Sequence, residues 1–196
     1  MNKELLTYKF KHMPTLTTER LVLRKMCALD ASDMYDYAKR PVVTKYLLWS
    51  PHSSAEYSKT FLKFVSKKYR AGQFYDWAVE EKLSGKMIGT CGFTSIDTEH
   101  KKGEIGYVIN PDFWGRGYAT EAASEMLRFG FEVLELNRIE CRFMKENEAS
   151  FKVMKKLDMT FEGYMRDAMY VKGEYRTIGV CSILNEEFRK GNVVKS

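Results

Sequence analysis

The sequence predicts an α/β (α+β) protein with a mixed, mostly antiparallel twisted sheet of six to seven strands and about four helices. Strand patterns and helix patterns follow one another along the chain, with no linker, low-complexity tract or internal repeat between them. Two pairs of strand patterns are joined by short turns, which indicates antiparallel hairpins. The length and this continuity fit one domain over residues 1–196.

The first part of the chain predicts one strand and two helices. Residues 15–26 form a strand pattern around Arg20 and Arg24. Asp30 is a good N-cap for a helix that ends near Lys39, and residues 41–50 form an apolar, aromatic connector. A second helix begins at Ser53 or Ser54, ends near Gly72 and carries apolar residues on one face, namely Tyr57, Phe61, Phe64 and Val65.

The rest of the chain predicts six strands and two helices. Strands over 74–80 and 87–96 form a hairpin, and a turn at 100–103 leads to a third strand over 104–109. A long amphipathic helix runs from residue 118 to about 134, followed by an alternating strand over 138–144. Asn147 caps a helix that reaches residue 157, and strands over 160–170 and 175–184 close the chain as a hairpin. The strand–loop–helix–strand unit over 104–144 predicts two parallel neighbours, because such crossovers are right-handed.

Composition excludes several classes of protein. The chain has 196 residues, 44% of them hydrophobic and 30% charged, which is typical of a soluble globular protein. No apolar run is long enough for a signal peptide or a membrane span, so we expect a cytoplasmic protein without a membrane partner. The four cysteines and three histidines are scattered, which predicts reduced thiols and no metal site.

The net charge of +6 permits a polyanionic partner such as nucleic acid or a phosphorylated cofactor. Part of the positive charge lies near the two ends of the chain, and part lies on the second helix at Lys63, Lys67, Lys68 and Arg70. An ordinary solvated helix face explains the second group as well, and the sequence shows no known nucleic-acid-binding motif. Nucleic acid is therefore an unlikely direct ligand.

A glycine-rich loop between the strand over 104–109 and the following helix predicts a pyrophosphate site. Gly115 and Gly117 flank Arg116 just before the helix begins. The first N–H groups of a helix have no intrahelical partner, and glycine lets the backbone approach a phosphate closely. The loop lacks the Walker A frame and the third glycine of the dinucleotide-binding fingerprint, and by itself a G-x-G loop can equally be a plain turn.

The segments around this loop resemble the GNAT superfamily of acyl-CoA-dependent N-acyltransferases, and in particular the ribosomal-protein N-terminal-acetyltransferase (RimJ/RimL-like) branch. The resemblance covers residues 15–188 in the family's order of elements, with motifs TERLVLRKM at 18–26, WSPH at 49–52, GEIGYVINPDFWGRGYATEA at 103–122, NEASFKVMKKL at 147–157 and FEGYMRD at 161–167. It implies a splayed central strand pair, acetyl-CoA as co-substrate, an amine acceptor and no metal. A homodimer is left open.

The resemblance also assigns a cofactor site. Backbone groups of Tyr107, Val108 and Ile109 are expected to meet the amide arm of CoA in the gap between the strands over 104–109 and 138–144. The pyrophosphate is expected on a segment whose members are Trp114, Gly115, Arg116, Gly117, Tyr118, Ala119 and Thr120. Trp114 stands where the family often has Gln or Arg. Asn147 is either only an N-cap or an N-cap whose side-chain amide also contacts the pantetheine arm of CoA.

Catalytic roles are expected of Glu104 and Ser150. Glu104 opens the strand beside the thioester and is the candidate general base, although it can instead be a surface residue paired with Lys101 or Lys102. Ser150 is a candidate for a bond to CoA or to the leaving thiolate, or a plain first-turn serine. Met154, a core or pocket-wall residue, occupies the position where many family members have a tyrosine acid.

The acceptor side is expected to be walled by Tyr46, Trp49 and His52, which can also be core or loop residues. The function predicted is transfer of an acetyl group from acetyl-CoA to a primary amine by direct attack, with a protein N-terminus as the first acceptor and a small-molecule amine as the second. A non-catalytic CoA-binding module is the alternative, favoured by Met154, and a nucleic-acid-binding protein is a weaker one.

Overall fold

The computed structural model describes residues 2–194, which contain one eight-stranded sheet. The strands are β1 (Leu16–Thr17), β2 (Leu21–Arg24), β3 (Asp76–Glu81), β4 (Met87–Asp97), β5 (Lys102–Ile109), β6 (Arg138–Met144), β7 (Thr160–Val171) and β8 (Glu174–Leu184). Their order in the sheet is β1-β2-β3-β4-β5-β6-β8-β7. All neighbours are antiparallel except β5 and β6, which are parallel. The predicted fold class is therefore confirmed, with one strand more than expected.

The described residues form seven α-helices, namely α1 (Lys3–Lys11), α2 (Ala31–Ala38), α3 (Pro41–Thr44), α4 (Ala55–Ala71), α5 (Tyr118–Arg128), α6 (Glu148–Lys156) and α7 (Asn185–Val194). Ser54 caps α4, since its side chain accepts a hydrogen bond from the Tyr57 N–H group. Gly72 ends α4 with a φ of 66°, and a Cβ atom there would lie 2.2 Å from the Thr7 carbonyl oxygen. Glycine is therefore required both by the turn and by the close approach of α1.

Several elements differ from the sequence prediction, among them the short helix α3 inside the connector expected over 41–50. The strand expected over 15–26 is a small hairpin, because residues 18–20 turn between β1 and β2. The terminal helices α1 and α7 were not predicted. In α1 the lysines obscured the pair Leu6 and Phe10, which are buried and one helical turn apart. Lys195, counted among the basic residues at the end of the chain, lies outside the described residues.

The long helix expected over 118–134 changes its geometry near its end. Regular α-helix stops at Arg128, and a π-helical turn follows at Phe129–Val133. Gly130 lies in this turn, where a Cβ atom would approach the Ile139 side chain to 2.6 Å. The wider turn lets the chain pack tightly against β6 before it enters that strand.

The parallel pair β5 and β6 is hydrogen-bonded at one end and open at the other. Three residues of each strand are in register, from Lys102 opposite Arg138 to Glu104 opposite Glu140. Beyond Glu104 the two strands separate, while β6 stays paired with β8 over its whole length. A β-bulge in β4 next to Glu104 bends the sheet at the same level. The expected splayed central pair is confirmed, and its gap positions the site described below.

Helices cover both faces of the sheet. The Trp77 ring of β3 lies on one face between Phe10 of α1 and Phe129, which follows α5, with ring centroids 5.8 and 5.3 Å away. Side chains alternate along a strand, so Asp76 belongs to the opposite face, near Tyr37 of α2. One face therefore carries α5 and the glycine-rich loop, and the other carries α2 and α4.

Candidate active site

A cavity of about 550 Å³ opens where β5 and β6 separate. Its walls come from both sides of the sheet: the connector after α3, the start of β3, the middle of β4 and β5, the end of β6, and α6. Of the residues predicted for the site, it brings together Tyr46, Trp49, Glu104, Tyr107, Val108, Asn147, Ser150 and Met154. Residues far apart in the sequence thus share one space because the two strands diverge.

Glu104 lies at the vertex of the gap, and its partner is an arginine that the sequence analysis missed. The Nε atom of Arg142 on β6 lies 3.2 Å from a Glu104 carboxylate oxygen. Glu104 was weighed as a surface partner of Lys101 or Lys102, and its salt bridge is to Arg142 instead. The Glu104 side chain is 24% exposed and lines the cavity. The salt bridge holds this carboxylate at the vertex of the gap, beside the cavity.

Two hydroxyl groups meet on the wall formed by β5 and α6. The Tyr107 hydroxyl lies 2.9 Å from Ser150 Oγ and also donates to the Ser150 carbonyl oxygen at 3.0 Å. Asn147 caps α6 by accepting from the Ser150 N–H group at 3.2 Å. Burial raises the pKa of the Tyr107 phenol far above its usual range, so this hydroxyl stays protonated at neutral pH. The buried Met154 side chain adds an apolar wall.

The edge of β5 offers backbone groups to the gap. The Asn110 N–H group donates to the Ile88 carbonyl of β4 at 2.7 Å. Consecutive residues of an antiparallel strand direct their backbone groups to opposite sides, so Val108 faces β4, and Tyr107 and Ile109 face the gap. The Ile109 carbonyl is already bonded, because the half-exposed Trp114 ring donates its Nε1–H to it at 2.6 Å. Trp114 thus fixes the start of the glycine-rich loop to β5.

The glycine-rich loop has the geometry of an anion site. Gly115 and Gly117 have φ values of 76° and 84°, which favour glycine. No atom within 4 Å would contact a Cβ atom on Gly115. Among the described residues, no backbone carbonyl in the loop accepts a hydrogen bond from the N–H groups of residues 115–120. The first N–H group of this segment that is bonded to the backbone is that of Glu121, which donates to the Gly117 carbonyl at 3.0 Å. These free donors at the N-terminus of α5 fit a pyrophosphate.

Arg20 and Glu121 hold this loop against the turn between β1 and β2. The Arg20 Nε atom donates to a Glu121 carboxylate oxygen at 2.7 Å, and its Nη1 atom donates to the Arg116 carbonyl at 2.9 Å. The Thr18 hydroxyl donates to the same carboxylate at 2.6 Å. The Arg20 Nη2 atom would lie 3.5 Å from a Cβ atom on Gly117. A cation that the sequence analysis did not select therefore lies beside the loop.

Two side chains of the loop, those of Tyr118 and Arg116, are engaged in contacts with the protein itself. The Tyr118 ring is buried, and its hydroxyl donates to the Glu81 carboxylate, so only its backbone N–H faces the loop. The Arg116 guanidinium folds back, donating to the Asp112 carbonyl at 2.9 Å and lying 5.3 Å from the Phe113 ring centroid. In this conformation the loop relies on backbone donors rather than on the Arg116 side chain.

The acceptor side of the cavity contains aromatic residues, and it does not contain His52. Tyr46 and Trp49 line it together with Phe74. The His52 ring lies behind Trp49, with Nδ1 2.8 Å from the Ser58 hydroxyl and its ring centroid 5.3 Å from that of Trp49. Burial lowers the pKa of His52. The structure therefore places His52 in the wall of the connector, where it supports Trp49 and does not reach the cavity.

Asp76, at the start of β3, is a cavity residue that the sequence analysis missed. Its Oδ1 atom is buried and has no hydrogen-bond partner. Burial raises the pKa of Asp76 to about 7, although hydrogen bonding from the Thr90 side chain and the Trp77 N–H group opposes this shift. The sequence shows that Asp76 and Trp77 are consecutive residues of a strand and so face opposite sides of the sheet. Nothing in the sequence indicated that Asp76 shares a cavity with Glu104.

The raised pKa of Asp76 predicts a pH-dependent gain in stability for Asp76→Asn. The pKa of Asp76 is about 7 in the folded protein and has the ordinary carboxyl value near 4 in the unfolded chain. Between these two pH values Asp76 is ionised in the unfolded chain and protonated in the folded protein, so the free energy of unfolding falls as pH rises. The variant should therefore be more stable than the wild type at pH 8, by a few kcal/mol at most, with the gain vanishing near pH 4. Urea unfolding at both pH values measures this, and an equal difference at both would contradict the pKa.

No helix within residues 2–194 is long and apolar enough to cross a membrane. In the same part of the chain, no cluster of three His, Cys, Asp or Glu side chains is arranged to hold a metal ion.

Comparison with known proteins identifies the family. Residues 20–160 match the acetyltransferase (GNAT) domain. The uncharacterised N-acetyltransferase p20 of Bacillus licheniformis is 36% identical over 176 residues, which are 90% of this chain and 99% of that protein. A crystal structure of a GNAT-family acetyltransferase from Bacillus anthracis superimposes with a TM-score of 0.78 at 30% identity, covering 89% of this chain and all of the other.

Two further relatives have names that include an acceptor. The ribosomal protein uS5-alanine N-acetyltransferase of Escherichia coli K12 is 22% identical over 90% of this chain and 93% of its own length. The spermidine N(1)-acetyltransferase of the same strain is 32% identical over 51% of this chain and 54% of its own length. With the family match over most of the chain, these findings confirm the resemblance recognised in the sequence: the chain belongs to the GNAT superfamily and is an N-acetyltransferase.

Proposed function

We propose that this chain transfers an acetyl group from acetyl-CoA to a primary amine by direct attack within a ternary complex. The observation that carries the proposal is the gap between β5 and β6. Backbone groups of β5 are free along one edge of this gap. The glycine-rich loop lies at one end of the gap, and the cavity beside Glu104 lies at the other end. A linear cofactor on one side and an acceptor on the other would meet at the vertex.

The residues present fit acetyl-CoA. The N–H groups of residues 115–120 would hold the pyrophosphate, with Arg20 supplying a cation beside them. The free backbone groups of Tyr107 and the Ile109 N–H would pair with the amide arm as an added strand does. Asn147 and Met154 would line the arm near its reactive end. Bound acetyl-CoA supplies the thioester whose acyl group is transferred.

Glu104 is proposed as the general base. Its carboxylate, held by Arg142, would accept the proton that the ammonium must lose before it can attack, directly or through a water molecule. The Tyr107 and Ser150 hydroxyls lie together, and the Ser150 hydroxyl, held by Tyr107, would stabilise the leaving thiolate by a hydrogen bond. Met154 has no proton to donate, so this hydroxyl pair takes the place of the tyrosine acid that many family members have.

The proposal extends to the setting of the enzyme. We infer a single domain over residues 1–196 that works in the cytoplasm, and we leave a homodimer open. The acceptor proposed first is a protein N-terminal amine, which agrees with the name of the relative that covers almost the whole chain. A small-molecule amine is second, supported by the cavity beside Glu104 and by the spermidine enzyme that matches half of the chain.

A turnover screen tests the proposed function. Release of free CoA from acetyl-CoA is measured with N-terminal peptides, polyamines and amino sugars, with the acetylated product identified by mass spectrometry. We expect at least one class to give acetylated amine and CoA in equal amounts. Hydrolysis of acetyl-CoA at the same rate with and without every amine would contradict the proposal.

A further inference from the structure

Asp76 is an acid without a cation on the acceptor side of the cavity. None of the salt bridges among the described residues includes it, whereas the other cavity carboxylate, Glu104, is paired with Arg142. The two acids thus differ in their partners: Glu104 forms a salt bridge with Arg142, and Asp76 has no cationic partner among the described residues. A buried carboxylate that lacks a cation is costly, and a cationic ligand would remove that cost.

The surroundings of Asp76 contain no positive group that could serve this purpose. The Tyr37 ring of α2 and the Cys91 thiol of β4 lie near enough for the charge of Asp76 to raise their pKa values, in addition to the larger effect of burial. From α4, the Tyr69 hydroxyl donates to the Asp76 backbone carbonyl at 2.6 Å rather than to the carboxylate. Thr90 contributes a hydroxyl. These neighbours are neutral. The charged groups beyond them are Asp30 and Asp33 near Tyr37, and Arg24 near Tyr69, which is already paired with Asp30 and Glu80.

The floor beside Asp76 is kept clear by two glycines. Asp76 is directly opposite Gly92 of β4, which is opposite Gly106 of β5. A Cβ atom on Gly92 would lie 2.8 Å from Asp76 Oδ1, so the carboxylate leans over β4 toward β5. The Cα atoms of Asp76 and Gly106 are two strand spacings apart, about 10 Å. The row Asp76–Gly92–Gly106 thus crosses three strands from the acid to the edge of the gap, with the Thr94 side chain 3.1 Å from the position of a Cβ atom on Gly106.

We propose that Asp76 binds the ammonium form of the acceptor, so that this chain selects alkylammonium ions over neutral amines. The inference rests on the proposed acetyl transfer. An ammonium ion on the glycine floor would lie between the unpaired carboxylate and the vertex where Glu104 takes the proton. The aromatic side chains of Tyr46, Trp49 and Phe74 line the same cavity and suit the apolar part of such an ion as well as its charge. Asp76 is thereby a specificity-determining residue, and Glu104 remains the base.

Binding to the CoA-loaded protein tests this assignment without any turnover. Calorimetry compares butylammonium with butan-1-ol, which has similar size and no charge. In the wild type we expect the ammonium to bind at least about tenfold more tightly. Asp76→Asn should weaken ammonium binding by about 10- to 100-fold, the usual effect of losing a hydrogen bond to a charged group, and should leave the alcohol unchanged. Glu80→Gln, on the same strand but outside the cavity, is the matched control.

Steady-state kinetics supply a second readout with a distinct signature. Asp76→Asn should raise the KM of an alkylamine much more than it lowers kcat, whereas loss of the base lowers kcat. Equal binding of the two compounds by the wild type would overturn the proposal, even if the variant failed to fold. So would an Asp76→Asn protein with unchanged ammonium affinity. Ammonium-selective binding without acetylation of any amine would instead retain the Asp76 site and refute the proposed function.

Discussion

Replacing Glu104 with glutamine is expected to lower kcat by about 10²–10⁴-fold, the usual contribution of a positioned acid–base group. The affinity for acetyl-CoA should hardly change, because Glu104 lines the cavity and is proposed to act on the amine rather than to hold the cofactor. The loss should shrink as pH rises, since a growing share of the amine is then already deprotonated. A pH–rate profile of both proteins on one accepted amine measures the effect.

Glu140→Gln is the matched control for this experiment. Glu140 is opposite Glu104 in the parallel register and lies 3.8 Å from Arg142, but it does not line the cavity. It should therefore show whether a change in the charge around Arg142 is enough to lower turnover. Superimposable pH–rate profiles for the wild type and Glu104→Gln would remove Glu104 from the mechanism.

Gly117→Asp is expected to weaken CoA binding by about 100-fold or more. The change places a negative side chain beside the free N–H groups of the loop, and the new carboxylate would also compete for Arg20, 3.5 Å from the added Cβ atom. A side chain at this positive φ costs about 1–2 kcal/mol of folding free energy, so the protein should remain folded. Isothermal titration with CoA, beside a thermal melt of the variant, measures both effects.

Gly173→Asp is the control for backbone strain. Gly173 has a φ of 88°, close to the 84° of Gly117, and nothing within 4 Å would contact its Cβ atom in the turn between β7 and β8. This variant should lose similar stability and keep its affinity for CoA. If a folded Gly117→Asp protein bound CoA as the wild type does, the phosphate site would have to lie elsewhere.

The sequence predicted the elements of the cofactor side well, because their signals are local. The glycines at 115 and 117, the N-cap at Asn147 and the alternation of β6 each depend on neighbours within a few residues. The parallel pairing of β5 and β6 followed from the handedness of a single crossover. The terminal helices α1 and α7 were not predicted, and in α1 frequent lysines masked a short buried face.

The acceptor side could not be predicted to the same depth, because it is assembled from contacts between distant segments. Arg142 and Glu104 are joined only through the divergence of two strands. Asp76 reaches the cavity because glycines at 92 and 106 leave space on the neighbouring strands. His52 was expected beside the acceptor, but a hydrogen bond to Ser58 turns its ring away. Each of these outcomes depends on register and packing that a single sequence does not display.

We propose that acetyl-CoA binds along the gap between β5 and β6, with its pyrophosphate on the loop at residues 115–120. Isothermal titration of the wild-type protein with CoA, in the absence of an amine, tests it most directly. We expect one site per chain with micromolar affinity and a matching rise in melting temperature, as for a ligand that binds only the folded state. Absence of both binding and a thermal shift at saturating CoA would contradict it.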